Sequence, residues 1–208
     1  MRIRQFIRSK PLAMVIAATA LLAGCGVNNI PTYEQDAKAK WSEIQNQYKR
    51  RSDLIPNLVE SVRGFADQEK AVLTGVTEAR AKATQAQVNL PSDILTNPDA
   101  MKKFADAQNQ LTGALGRLLV VSERYPDIKS GQNFLALQNQ IEGTENRIAI
   151  SRCDYIEAVK RYNTELNTFP GRLWKAALYS SAKDMATFDI APQETQTPKV
   201  DFSPRKTQ

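Results

Sequence analysis

Histidine is absent from this chain of 208 residues, and cysteine occurs only twice. A chain without imidazole cannot form a Ser-His-Asp or Cys-His nucleophile pair, a zinc site with histidine ligands, or a phosphorelay histidine. Most familiar hydrolases and sensor kinases are therefore excluded. We predict that the chain is not an enzyme, and that it has no catalytic residues, no cofactor and no bound metal.

Acidic residues are missing from the first 24 positions, and this absence explains most of the formal charge of +6. Arg2, Arg4, Arg8 and Lys10 all lie there, and without them 24 basic residues face 22 acidic ones, a net charge of +2. The basicity thus belongs to one short segment and does not form a binding surface. We expect no nucleic-acid partner.

The same segment has the order of an export signal: a basic start, an apolar run over 11–22, and Leu-Ala-Gly-Cys at 22–25. About a dozen apolar residues are too few to cross the ~30 Å hydrocarbon layer comfortably. We predict a signal peptide at 1–24, a lipobox ending at Cys25 with lipidation of its thiol, and a linker at 25–32. An uncleaved single-pass anchor is the alternative.

From this start we predict that the protein lies in a bacterial cell envelope, anchored to the membrane and facing the periplasm. Gly26 follows the cysteine, so no aspartate is present there to indicate retention at the inner membrane, which favours the outer membrane. Lipidation of Cys25 would leave Cys153 as the remaining thiol and exclude an intramolecular disulfide.

Hydrophobic spacing predicts helices almost throughout the rest of the chain. Apolar residues recur at alternating spacings of four and three from Ala37 to Ala86, interrupted only by Arg51 and Glu69. Because this register continues past Pro56, we predict one long kinked helix, which would measure ~75 Å if it were straight.

Three further helices are predicted after a loop at 88–97. Asn97 and Pro98 form a good helix start, and the second helix runs from there to about Glu123. The third runs from about 133 to 169 with an apolar residue at every seventh position, and a short fourth covers about 171–184. The fold class is thus all-α: an elongated bundle over 33–184, with three long helices and a short fourth, followed by a proline-containing tail at 185–208.

Several segments, in order, resemble the LemA family from about 33 to 202. They are RRSDLIPNLV at 50–59, VTEAR at 76–80, YPDIK at 125–129, NFLALQ at 133–138, EGTENRIA at 142–149, YN at 162–163, FP at 169–170 and PKVDF at 198–202. The resemblance implies a membrane-tethered antiparallel helical bundle that faces away from the cytoplasm. It predicts the fold better than the function, because the family's molecular function is largely uncharacterised.

Five charged residues are candidates for a buried polar network: Arg51, Glu69, Glu142, Glu145 and Arg147. They either form interhelical ion pairs that fix the register of the bundle or build an effector or ion site. We favour ion pairs, because burying one unpaired charge costs several kcal/mol. A calcium or magnesium site on Glu142 and Glu145 is the weaker alternative.

The short fourth helix also has two interpretations. Trp174 with Arg172, Lys175 and Lys183 is compatible with a helix on a membrane surface, but its apolar residues more often close a bundle, so we predict core packing. In the tail, Val200 and Phe202 either dock along the bundle or form a linear motif for another protein.

Two functional classes remain. The preferred one is a membrane-anchored envelope lipoprotein that acts as a non-enzymatic interaction or scaffold module. The alternative is a ligand-binding bundle that senses an amphiphile or an ion and uses its polar seam as a switch. The expected partners are the membrane and an envelope protein of unknown identity, and the sequence leaves a homo-oligomer open.

Overall fold

The structure is a computed structural model that describes residues 26–63, 69–125 and 131–188, and these residues form helices and no strand. The helices are α1 (Asn29–Arg63), α2 (Lys70–Val88), α3 (Pro98–Ser122), α4 (Gln132–Asn167) and α5 (Gly171–Ala177), with a 3-10 turn at Ile94–Thr96 between α2 and α3. The all-α bundle is therefore confirmed. No helix within these ranges is both long and apolar enough to span a membrane.

The predicted single first helix is wrong, because α1 and α2 are separate helices that run antiparallel. Gln87 donates to the carbonyl of Gln45, and Arg80 donates to the carbonyl of Ser52, so α2 returns along α1. Hydrophobic spacing shows which face of a helix is buried. The buried residues of α2 follow the same spacing of three and four that runs through the buried residues of α1. Spacing alone therefore cannot separate one long helix from two paired ones. Pro56 lies inside α1 without ending it, as predicted.

The four long helices alternate in direction. Asn29 pairs with Glu165, and Lys40 pairs with Asp154, which sets α4 antiparallel to α1. Gln108 bonds to Ala83, and Arg124, just after α3, pairs with Glu69, just before α2, so α3 is antiparallel to α2. Because α2 is also antiparallel to α1, α1 and α3 point the same way. With 36 residues, α4 is about 54 Å long. The bundle is therefore elongated, but shorter than the ~75 Å expected from one unbroken first helix.

The core has two parts. One part is aromatic: the ring centroids of Phe104, Tyr155 and Phe188 lie 5.4, 5.6 and 5.9 Å from that of Trp41. The other part is aliphatic and includes Ile55, Leu58, Leu111, Leu118 and Ile141, each at most 2% exposed. The side chain of Arg51 lies in α1 between these two parts.

The chain after α5 packs back onto the bundle. The amide of Asn163 bonds to both the nitrogen and the carbonyl of Met185, and the nitrogen of Ala186 donates to the carbonyl of Leu95. Met185 and Phe188 are buried. The packed unit therefore extends from residue 29 to at least residue 188, beyond the predicted limits of 33 and 184.

The short last helix differs from its prediction in length and in burial. It ends at Ala177 rather than near 184, and Leu173 and Leu178 are 57% and 60% exposed, so core packing was wrong for both. Trp174 is half-buried against the aromatic part of the core. The apolar spacing predicted a helix here, but its roughly two turns lie at the end of the bundle, where the described residues offer too little surface to cover both leucines.

The predicted signal peptide, Cys25, and the tail residues Val200 and Phe202 lie outside the described residues.

Candidate functional site

The candidate site is centred on Arg51, whose side chain is among the largest fully buried ones in the described part of the chain. Arg51 follows Tyr48 by three residues and precedes Ile55 by four, so helical geometry directs all three side chains to the same buried face of α1. A guanidinium keeps its charge at any physiological pH, so this position must be neutralised and hydrogen-bonded by its neighbours.

Four hydrogen bonds hold the guanidinium. Nη1 donates to Oγ1 of Thr112 at 2.8 Å and to Oε1 of Glu145 at 2.9 Å. Nη2 donates to the side-chain oxygen of Gln108 at 2.6 Å and to its carbonyl at 3.3 Å. Nε is buried without a hydrogen-bond partner among the described residues. The charge is balanced by one carboxylate, and the acceptors are shared between α3, which carries Gln108 and Thr112, and α4, which carries Glu145.

Gln108 extends this cluster to the remaining long helix. Its side-chain nitrogen donates to the carbonyl of Ala83 in α2 at 3.2 Å, while its oxygen accepts from Arg51. Gln108 is 2% exposed. One polar cluster therefore contacts all four long helices, and each bond fixes their relative positions along the bundle axis.

Tyr48 borders the cluster on the aromatic side. The Arg51 Cζ atom lies 5.0 Å from the centroid of the Tyr48 ring, a distance at which a cation is attracted to the ring face. Burial raises the pKa of the Tyr48 phenol, and the positive charges of Arg152 and Arg51 oppose that rise. The phenol therefore stays neutral at physiological pH.

The structure brings together only two members of the five-residue network predicted from sequence. Arg51 and Glu145 form an ion pair, whereas Glu69 pairs with Arg124 at 3.0 Å, far along the bundle. The expected network therefore does not include Glu69, nor does it include Glu142 and Arg147, which are exposed on α4. Helical spacing explains the split: Glu145 follows the buried Ile141 by four residues, while Glu142 and Arg147 lie on the outer face.

Sequence reasoning missed Gln108 and Thr112. The signal was a gap in the apolar stripe of α3: Met101, Phe104, Leu111, Leu115 and Leu118 follow a spacing of three and four, and Gln108 occupies the position that would complete it. A polar residue at such a position marks a specific buried contact. Thr112 lies one turn further on and is exposed, so its contact with Arg51 was not visible in the apolar pattern.

The chemistry of this cluster is hydrogen bonding and charge neutralisation. Its single carboxylate is already paired with Arg51, and the described residues hold no group of three or more acidic or cysteine side chains placed to bind a metal ion. The hydrogen bonds of the cluster therefore hold the four long helices together.

A sequence profile of the LemA family matches residues 40–202. Magnetosome protein MamQ 2 of Paramagnetospirillum magneticum is 27% identical over 157 residues, which cover 69% of this chain and 58% of that protein. Magnetosome protein MamQ of Magnetospirillum gryphiswaldense is 25% identical, over 76% of this chain and 63% of the relative. Protein LemA of Metamycoplasma hominis is 24% identical, over 62% and 53% respectively. The matches thus span less than two thirds of these relatives.

Proposed function

This chain belongs to the LemA family, and from that premise we propose that it is a non-enzymatic envelope lipoprotein whose helical bundle serves as an interaction or scaffold module. In this proposal the lipid on Cys25 holds the bundle at the membrane, and the bundle faces the periplasm. Recognition takes place on its outer surface. The partner is an envelope protein, and no chemical step is required of the bundle.

The observation that carries the proposal is the closed centre of the bundle. The one fully buried guanidinium in the described residues is engaged by Gln108, Thr112 and Glu145. The polar groups of this cluster are largely paired with one another, so few of them are available to bind a ligand. The same hydrogen bonds hold the four long helices in one register. A rigid bundle of this kind presents a fixed outer surface, which lowers the cost of ordering when a partner binds.

Metabolic labelling tests the anchor. Cells that express the full-length chain are supplied with radiolabelled palmitate, alongside the variants Cys25→Ala and Cys153→Ala. Cys153 is an exposed free cysteine and provides a matched control for non-specific acylation. We expect label in the wild type and in Cys153→Ala, none in Cys25→Ala, and release of Cys25→Ala from the membrane fraction. Equal labelling of all three, or none, contradicts the anchor.

Site-specific photo-crosslinking in intact cells tests the interaction surface. The crosslinking amino acid replaces Ile150 or Ile156, two exposed apolar residues on α4, or the buried Ile148 as a control. We expect a discrete adduct from an exposed position and none from Ile148. Adducts only to a second copy of the chain would identify a homo-oligomer as the interaction. No adduct from a series of exposed positions on every long helix would contradict the module.

One observation supports the second candidate, an amphiphile- or ion-sensing bundle: Arg51 Nε is buried and has no hydrogen-bond partner within the part of the chain that the structure describes. A ligand that satisfied this group would have to displace the existing contacts and would raise the melting temperature of the bundle. Melting curves with amphiphiles and with divalent cations separate the two functions. A stabilisation that disappears in Arg51→Met would favour the sensor.

A further inference from the structure

We propose that the outer side of α5 is a second membrane contact, which seats the end of the bundle on an anionic phospholipid surface beside the lipidated cysteine. This inference rests on the anchor at Cys25 in the proposed function. It concerns a different part of the molecule and adds a defined orientation to the tethered bundle.

The first observation is the exposed apolar surface around α5. Of the eight large hydrophobic residues that are exposed in the described residues, three fall within residues 169–178: Phe169, Leu173 and Leu178. Phe169 is 81% exposed and Leu173 57%. Single exposed apolar side chains are ordinary on protein surfaces, but three within ten residues at one end of a bundle indicate an interaction surface.

The second observation is the position of Gly26, the residue next to the predicted lipid attachment site at Cys25. Gly26, which directly follows Cys25 in sequence, lies against the start of α5: a Cβ atom placed on Gly26 would be 3.4 Å from Cγ of Pro170 and 3.7 Å from Nε1 of Trp174. Asn29, at the start of α1, also bonds to Glu165 near the end of α4. Cys25 is bonded to Gly26, so an acyl chain on its thiol would be attached one residue away from this contact with α5, which supports the membrane as the partner of the patch.

The third observation is charge. Arg172 and Lys175 lie in α5, which contains no acidic residue, and they line a shallow groove of about 340 Å³ together with Leu166, Asn167, Ala176 and Ser180. Cationic side chains beside exposed apolar ones are typical of segments that lie in the interface of an anionic membrane. Two basic residues near an anionic surface favour the docked orientation by about thirtyfold over the same contact on a neutral one.

The backbone of α5 is fixed in this position by a close approach. A Cβ atom on Gly171 would lie 2.0 Å from the carbonyl oxygen of Glu165, so only glycine lets α5 turn this tightly against the end of α4. The patch is therefore held by packing and is not a free segment. Its orientation relative to Gly26 is set by the fold.

Fluorescence quenching tests the contact. The full-length acylated chain is reconstituted into vesicles of phosphatidylethanolamine and phosphatidylglycerol that contain lipids brominated on their acyl chains. The chain has two tryptophans, and Trp41 is 6% exposed in the core, so subtracting the signal of Trp174→Phe isolates Trp174. We expect bromine to quench Trp174 emission, and we expect the quenching to weaken when phosphatidylcholine replaces phosphatidylglycerol.

The double variant Phe169→Ser/Leu173→Ser is expected to lose this quenching while it stays bound through its lipid. Val120→Ser/Ile150→Ser is the matched control, because both residues are similarly exposed, at 68% and 63%, but lie on α3 and α4. Circular dichroism checks that each variant remains helical. Wild-type quenching in the first variant, or none in the wild type, overturns the proposal. A chain that does not float with vesicles instead refutes the anchor.

Discussion

Replacing Arg51 with methionine removes the guanidinium from the centre of the bundle, and we expect it to lower the free energy of unfolding by about 1–4 kcal/mol. Methionine keeps much of the volume and the apolar stem of arginine, so the change isolates the hydrogen bonds. The groups left behind are Gln108, Thr112 and Glu145.

The magnitude follows from the burial of each abandoned group. The side-chain oxygen of Gln108 loses its 2.6 Å donor inside a residue that is 2% exposed, which costs about 1–3 kcal/mol. The side chain of Glu145 is 31% exposed and can be hydrated, so the loss of its ion pair with Arg51 adds only about 0–1 kcal/mol. Thr112 keeps a second bond, because its hydroxyl also donates to the carbonyl of Gln108.

A double variant tests this reasoning more sharply than the single one. Replacing both members of a buried polar pair with apolar groups is often close to neutral, so Arg51→Met/Gln108→Leu should recover most of the lost stability. Urea unfolding followed by far-ultraviolet circular dichroism measures both. Arg147→Met is the control, and because Arg147 is exposed we expect a change within about 0.5 kcal/mol. A single variant as stable as the wild type, or a double variant weaker than both singles, would refute the assignment.

Three further predictions concern stability. Gly171→Ala should lower the free energy of unfolding by about 1–3 kcal/mol, because the new Cβ atom meets a backbone carbonyl. Gly113→Ala should raise it by about 0.5–1 kcal/mol, because this helical position has open space around the new Cβ atom. Urea unfolding measures both changes. Phe188→Ala should cost roughly 3 kcal/mol and expose residues 178–188 to limited proteolysis before the bundle unfolds. Burial raises the pKa of Tyr155, and it raises the pKa of Tyr162 to about 12, so the native state holds these protons more tightly than the unfolded state. The stabilisation from both groups should therefore be complete below about pH 10 and be lost between about pH 10 and 12. Urea unfolding across that range should show a shallower loss in Tyr155→Phe than in the wild type.

Helix faces were predictable from the sequence, and connections between helices were not. The register from Ala37 to Ala86 identified the buried faces of α1 and α2 and placed Arg51 among them. It did not reveal that α2 turns back, because the buried face of an antiparallel partner follows the same spacing as the continuation of a single helix. Reversal depends on tertiary contacts such as that between Ser52 and Thr84.

The candidate site was predictable in part for the same reason. A charged residue within an apolar stripe is conspicuous, so Arg51 could be predicted as a member of the site from its position. Glu145 was predicted as one of the acidic residues of α4. Gln108 is neutral and was passed over, although its position in the stripe of α3 carried the same information. Glu142 and Arg147 were included because they cluster with Glu145 in sequence, but on the helix their side chains are exposed on the outer face.

The ends of the bundle were the least predictable. Phe188 belongs to the core because it packs against Trp41 and Tyr155, two residues that are distant in sequence. Leu173 has the spacing of a core residue, but it is 57% exposed because none of the residues at 26–63, 69–125 and 131–188 covers it. Both outcomes depend on where other helices end, and a local pattern does not contain that information.

Hydrogen exchange of the backbone amides around Arg51 tests most directly whether the centre of the bundle is closed and its function lies on its surface. The full-length chain is measured in vesicles, alone and with divalent cations or free amphiphiles. We predict that amides at residues 48–55 exchange as slowly as global unfolding allows, and at the same rate under every condition. Exchange that changes in these residues when one small molecule is added would contradict a closed centre and support a sensing bundle.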